Sequence, residues 1–240
     1  METNPLIVVG TPREGEEGDQ NTLLENWRRA SETGIGCVII DADEDQAALT
    51  KKVRKAGGYV YVNPEKPEEP HPNYKTDSGA ERVAASVNTF DRFYNHDIII
   101  NVYASLPPIA SDLIKALMYP LANRDVDVAT LVQPLADGEL SDPDIVKTHV
   151  EWIERSRVNI LTNSKVGRAL GFSRSGDEFP KGTEMVKHLP IYAYKRSSLD
   201  RFVRFGPTVR EMEERLEPER ALENDMRVDA VMVVPGDNES

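Results

Sequence analysis

The 240-residue chain has one cysteine, Cys37, so no disulfide can form within it. Its four histidines, His71, His96, His149 and His188, stand too far apart in sequence for the ligand spacing of a zinc site. Basic residues are outnumbered, with 29 Lys and Arg against 41 Asp and Glu. The resulting formal net charge of -12 repels nucleic acid and anionic lipid surfaces, so neither is an expected partner. Long apolar runs are missing: Asp97 to Val102 and Val231 to Val234 fall far short of the ~18 residues that cross a bilayer, so no membrane span is expected. The start METNPLIVVG lacks the basic residues, the apolar stretch and the cleavage site of a secretory signal, which makes the cytoplasm the expected location. Gly10, Gly15 and Gly18 form neither a GxGxxG fingerprint nor a Walker loop, and no Lys-Ser or Lys-Thr follows them. Dinucleotide and P-loop chemistry are thereby excluded.

What is present describes a folded chain. Hydrophobic residues make up 39% and charged residues 29%, with aliphatic runs along the whole length, which fits neither a disordered nor a fibrous protein. The length suits a single domain over residues 1–240. Short apolar runs alternate with amphipathic segments of helical length, the pattern of an α/β fold with a doubly wound, mostly parallel sheet. Leu6 to Gly10, Cys37 to Asp41, Tyr59 to Val62, Asp97 to Val102, Val126 to Val132, His188 to Tyr194 and Arg227 to Val234 read as strands. Leu23 to Ala30, Asp43 to Lys55, Gly79 to Phe93, a segment starting near Ile109, Ser197 to Arg204 and Val209 to Leu222 read as helices. Cys37, inside CVII, is expected to be a small core residue. Residues 63–77, with Pro64, Pro67, Pro70 and Pro72, read as a surface loop. From Pro143 to Phe172, VKTHV, NILT and ALGFS read as short strands of a small antiparallel insertion.

Several segments, in order, resemble CMP-Kdo synthetases, the 3-deoxy-manno-octulosonate cytidylyltransferases that join CTP to an eight-carbon sugar acid and release pyrophosphate. Cys37-Val-Ile-Ile-Asp-Ala-Asp-Glu is similar to that family's second strand and VATD turn, with Asp43 in the aspartate position. Asp77-Ser-Gly-Ala-Glu-Arg resembles QSGTER, Asn101-Val aligns with NVQGDEP, and Asp142-Pro-Asp-Ile-Val-Lys with NPNxVK. Phe172-Ser-Arg matches FSR, His188-Leu-Pro-Ile-Tyr-Ala-Tyr-Lys resembles HLGIYGYR, and Leu216-Glu-Pro-Glu-Arg-Ala-Leu-Glu-Asn resembles LEQLRALEN. The resemblance implies a nucleotidyltransferase fold with a nucleotide, CTP or CMP, bound where the strands end. It places Ser78, Gly79, Glu81 and Arg82 on the nucleotide side and Arg174, His188 and Glu217 on the sugar-acid side. It also implies a homodimer formed through the region of residues 143–195, and magnesium as cofactor if the protein is active.

Three departures fall on the cationic apparatus that cytidylyl transfer needs to neutralise a triphosphate. The family's PARxxSxRLPGK loop is replaced by a stretch in which Arg13 is the one basic residue among Glu14, Glu16, Glu17 and Asp19. Ser105 stands where NVQGDEP has its magnesium-binding aspartate, after Tyr103-Ala104, and Leu106 stands where its glutamate is. For the family's final metal aspartate, the segment Val234-Pro-Gly-Asp-Asn-Glu-Ser offers Asp237 as the nearby candidate, out of the family's register. Pro218 also replaces the LEQ glutamine. The leading expectation is a CMP-Kdo-synthetase-like protein that binds a nucleotide, a sugar acid or a partner subunit without standard magnesium-dependent transfer. One alternative is an active cytidylyltransferase whose metal has moved to Asp43, Asp77 or the acidic loop. Another is a different enzyme on the same scaffold, with His188, Arg174 and Lys147 acting on a small acid. On residue type alone, the acidic loop reads as solvated charge, His188 as a hydrogen-bonded structural histidine, and His71 as a loop residue. Glu211, Glu213, Glu214, Glu217 and Glu219, interleaved with Arg210, Arg215 and Arg220, read as the salt-laced solvent face of one helix.

Overall fold

Strand β1 (Pro5–Gly10) is buried almost end to end because it lies inside a sheet covered on both faces, the setting that suits an unbroken aliphatic run. In the computed structural model, which describes residues 3–10, 20–43, 46–62, 79–103, 106–154, 158, 160–161, 164–180 and 182–234, β1 pairs in parallel with β2 (Cys37–Ala42) on one side. On its other side it pairs in parallel with β4 (Ile98–Val102). The half-exposed β3 (Tyr59–Val62) pairs in parallel with β2 and forms the edge. The crossovers run through α1 (Gln20–Glu32), α2 (Ala47–Lys55) and α3 (Gly79–Phe90), as the alternating sequence predicts. The four-proline stretch 63–77 lies outside the described residues.

Beyond β4 the sheet changes direction. After the short helices α4 (Ser111–Ala116) and α5 (Met118–Leu121) come β5 (Val128–Pro134), β6 (Lys147–Trp152), β7 (Val166–Ser173) and β8 (Met185–Lys195). Then follow α6 (Arg196–Phe205), α7 (Val209–Glu214), α8 (Glu217–Glu223) and β9 (Val228–Met232). The sheet order is β3-β2-β1-β4-β8-β5-β9-β7-β6, with a further β6–β8 pairing. Strand β8 is antiparallel to β4, β5 and β6, and β7 is antiparallel to β6 and β9. Among the described residues, only β9 with β5 continues the parallel pattern. The sheet is therefore mixed, where the sequence predicts a mostly parallel one. The physical reason is local: among the described residues, 135–184 contains no α-helix, only 3-10 turns at Glu139–Ser141 and Gly176–Glu178. Without a crossover helix, successive strands must turn back. The antiparallel segment extends the main sheet, and of the expected NILT strand the described residues Ile160 and Leu161 form a turn and a bend.

Period-two alternation divides the aliphatic residues between two layers. Ile7, Val9, Ile40, Ile98, Ile100 and Val102 pack against α1, α2, α4 and α5. Leu6, Val8, Ile39, Ile99, Tyr192 and Tyr194 pack against α3, α6 and α8. Cys37 is half-buried beside the second layer, less enclosed than its place in CVII suggests, and burial still raises its thiol pKa.

The expected helix from Val209 to Leu222 is two helices. Thr208 and Glu211 form a capping box that starts α7, Arg215 takes a left-handed conformation with φ 56°, and Pro218 sits in the first turn of α8, where a missing N–H costs nothing. The break turns one face of α8 inward, so the expected solvent face is partly core. Arg220 is 0% exposed. Its Nε and Nη2 lie 2.6 and 2.5 Å from the two Glu211 oxygens, its Nη1 lies 2.9 Å from Glu81 on α3, and its guanidinium rests 4.7 Å from the Phe202 ring centroid on α6. Burial works against the charge, and the bonds and proximity of Glu211 and Glu81 outweigh it, raising the Arg220 pKa. Glu219 accepts the Phe172 N–H at 2.6 Å, fastening α8 to β7. Arg215, Met212 and Glu213 do face solvent.

Arg220→Met is expected to destabilise the protein to urea by about 3 to 5 kcal/mol, because Glu81 and Glu211 lose their buried cation. Adding Glu81→Gln and Glu211→Gln should recover part of that loss. A cost for Arg220→Met typical of a surface pair, under about 1 kcal/mol, would contradict the arrangement.

Candidate functional site

In sheets of this kind a crevice forms beyond the carboxyl ends of the parallel strands, and β1, β2 and β4 end there. Asp41, buried, is the penultimate residue of β2, and Asp43 follows the strand. Arg82, from the first turns of α3, reaches both: Nε lies 3.1 Å from Asp41 Oδ2 and Nη2 lies 3.0 Å from Asp43 Oδ1. The Ser86 hydroxyl donates to the same Asp41 oxygen at 3.3 Å. Burial lowers the Arg82 pKa and the two aspartates raise it by more, so the guanidinium stays charged.

Gly79 opens α3 one turn from these groups. A Cβ there would stand 1.8 Å from Tyr103 Oη and 2.4 Å from Cζ, so a side chain at 79 and the tyrosine ring exclude each other. Tyr103 follows β4 and crosses α3 to reach α8. Its hydroxyl donates to Glu217 Oε2 at 2.5 Å, while Ala80 N–H donates to Oε1 at 2.7 Å. Burial raises the Glu217 pKa, and these two bonds restrain the rise. Burial also pushes the Tyr103 phenol well above its usual value, so the proton in this contact belongs to the tyrosine.

From Tyr103 a line of rings leads to His188. Tyr103 meets Tyr192 edge-on at 6.1 Å, Tyr192 lies 5.5 Å from His188, and His188 meets Phe172 edge-on at 4.9 Å. His188 Nε2 is 3.0 Å from Thr130 Oγ1. The Thr130 hydroxyl also lies 2.8 Å from the Ile191 carbonyl, where the β5–β8 ladder skips Pro190 and Ile191, a place for a residue without an N–H. With the hydroxyl proton on that carbonyl, the contact is completed by an Nε2–H of His188. Burial takes the His188 pKa down to about 3, so the ring is neutral near pH 7. Beside Tyr192 on β4, Asn101 is 2% exposed and its Nδ2 has no hydrogen-bond partner.

Of the residues singled out in the sequence, the structure joins His188 and Glu217 through Tyr192 and Tyr103. Arg174 takes another course: its Nε donates to the Glu214 carbonyl at 3.0 Å, capping α7, and Nη1 donates to the Pro143 carbonyl at 3.3 Å. Lys147 is fully buried, its ammonium held by the carbonyls of Asp142 and Arg174. Arg174 and Lys147 are thus each held by backbone carbonyls of the 142–144 segment, and the neutral His188 by Thr130. Glu81 lies under α3 with its carboxylate on Arg220, supporting the helix from inside. Ser78, Asp77, His71, Ser105, Asp237 and the acidic loop 11–19 lie outside the described residues. Sequence reading passed over Tyr103, Tyr192, Thr130 and Asn101 as site residues. A polar Thr130 within the apolar VATLV strand and a tyrosine within an otherwise matching segment are the signals that mark them.

A family model described as cytidylyltransferase matches residues 28–228. The 3-deoxy-manno-octulosonate cytidylyltransferase of Methylobacterium radiotolerans is 36% identical over 212 residues, covering 88% of this chain and 77% of that protein. That of Paramagnetospirillum magneticum is 34% identical over 243 residues, covering 97% and 90%. The chain belongs to the CMP-Kdo synthetase family of cytidylyltransferases. In fold it is similar to a CMP:2-keto-3-deoxy-manno-octonic acid synthetase solved with CTP, with a TM-score of 0.75, 21% identity, and coverage of 97% of this chain and 90% of that one. A 4-diphosphocytidyl-2C-methyl-D-erythritol synthase from Anaerococcus prevotii shares the fold more distantly, with a TM-score of 0.58 at 9% identity, covering 99% and 89%.

Membership in the CMP-Kdo synthetase family raises the question of magnesium. The described carboxylates nearest the ends of the parallel strands are Asp41 and Asp43, and Arg82 already stands between them. No group of three or more potential metal ligands occurs among the described residues. With Arg82 between them, Asp41 and Asp43 do not fit a magnesium site.

His188 makes stability depend on acid. Its folded pKa lies near 3 against an ordinary 6.5, so its contribution is complete above about pH 6.5 and is lost as pH falls toward 3. The raised Glu217 pKa acts in the opposite sense, its contribution being present at low pH and lost as pH rises through the folded value. His188→Gln should therefore flatten the fall in urea stability between pH 6.5 and 4 by up to about 1.4 kcal/mol per pH unit. Identical acid slopes for the two proteins would contradict a buried, neutral His188.

Proposed function

We propose that this member of the CMP-Kdo synthetase family binds a nucleotide, CTP or CMP, and a small sugar acid without carrying out standard magnesium-dependent cytidylyl transfer. The observation that carries the proposal is Arg82 bridging Asp41 and Asp43. The arginine that a nucleotide phosphate would seek and the carboxylates that a metal would seek neutralise one another. The acidic composition of residues 14–19 and the neutral Ser105 support the same reading.

In this proposal Ser78, Gly79 and Arg82 belong to the nucleotide side, with Glu81 acting through the position of α3. His188 and Glu217 face the acid from opposite ends of the ring series, and Arg174 reaches the acid only by releasing the carbonyls it now holds. The chain acts as one domain, with residues 143–195 as the antiparallel segment through which two copies pair. Strand β8 is bonded on both edges, so such pairing would use the neighbouring β6–β7 surface, where Leu170 and Ile153 are exposed. A cytoplasmic location belongs to the same reading. Among the described residues, no helix is long and apolar enough to cross a membrane.

Calorimetric titration with CTP, with and without magnesium, combined with a pyrophosphate-release assay containing Kdo or a panel of related, shorter 2-keto acids, tests the proposal. CTP or CMP binding that magnesium does not tighten, with no release above the acceptor-free control, is expected. Metal-enhanced CTP binding with acid-dependent release would overturn it in favour of an active enzyme whose metal is held elsewhere, at Asp77 or in the acidic loop.

A further inference from the structure

Tyr103 fills the space between Gly79, Tyr192 and Glu217. The phenol lies against the bare backbone of Gly79, where a Cβ would come within 1.8 Å of its hydroxyl. One ring edge meets Tyr192, and the hydroxyl closes on the part-buried Glu217 at 2.5 Å. The Glu217 carboxyl is therefore capped on both oxygens, by Ala80 N–H and by Tyr103. A hydroxylated six-membered ring has nearly the shape of this phenol and offers the same kind of donor. Such a ring and Tyr103 would compete for one space between Gly79, Tyr192 and Glu217. Across the β4–β8 pairing from Tyr192, Asn101 has a buried, unpartnered Nδ2, a donor suited to a ligand oxygen.

We propose that Tyr103 is the specificity-determining residue of the acid subsite. By standing in for a sugar ring on Glu217, it restricts the protein to 2-keto acids too short to need that space. The inference rests on the acid-binding reading above. It locates the size limit in a single side chain that can be removed while His188, Thr130 and Glu217 remain.

The test is calorimetric binding of a series of 2-keto acids, from pyruvate to the eight-carbon Kdo, to the full chain and to Tyr103→Phe and Tyr103→Ala, with CTP titrated in parallel. Tyr103→Phe keeps the ring and should still exclude Kdo, whereas Tyr103→Ala should bind Kdo at least about tenfold more tightly than the unaltered protein. CTP affinity should be unchanged in Tyr103→Phe, which keeps the ring that lies against Gly79. Tyr103→Gln, smaller and polar, replaces the alanine variant if that does not fold, and carries the same expectation. Equal Kdo binding by the unaltered protein and the opened variant would overturn the role of Tyr103 while leaving the acid-binding reading intact. Failure of every variant to bind any acid while CTP still binds would overturn that reading and the inference together.

Discussion

Arg220 is a full positive charge with no access to water, and the helical layer that builds the site depends on how that charge is held. Glu211, which also caps α7, and Glu81 on α3 supply the compensation, and Phe202 on α6 covers the guanidinium face. Removing any one partner would strand a buried charge, so four helices meet in one arrangement. That arrangement fixes the start of α8. Glu217 is the first residue of α8, and its carboxyl reaches the N-terminus of α3 because Arg220, less than one turn further on, is locked to Glu81.

Around this junction, the charged groups among the described residues that could meet a ligand are matched to one another within the protein. Asp41 and Asp43 hold Arg82, Tyr103 caps Glu217, Arg174 caps a helix end, and Lys147 sits among carbonyls. His188 is buried deeply enough to stay neutral, which makes it a directional donor to Thr130 and removes it as a source of charge. This mutual neutralisation is what supports the proposed reading of binding without standard magnesium-dependent transfer.

Much of the fold was legible in the sequence because its signals are local. LIVV, CVII and III are long enough and apolar enough to be inner parallel strands, and the helices between them end where Gly34 and Gly57 take positive φ. The direction of β8 was not legible, since HLPIYAYK reads the same in either orientation and only the missing crossover helix settles it. The break at Arg215 was also hidden, because interleaved Glu and Arg fit an exposed helix as well as a buried ion pair. In the site, resemblance brought out His188 and Glu217, which do lie on one series of rings, but it also brought out Arg174, whose guanidinium points to carbonyls. Tyr103 escaped notice because its role depends on Gly79 and Glu217, which are distant in sequence and become neighbours only when α3 and α8 pack.

The most direct test is a carbon-detected NMR titration of the Glu217 carboxyl in the unaltered protein and in Tyr103→Phe. Enclosure by Tyr103 predicts titration above the ordinary 4.5, shifting higher still when the phenol hydroxyl is removed, since that bond favours the ionised form. Titration at the ordinary value, or at the same value in both proteins, would contradict it.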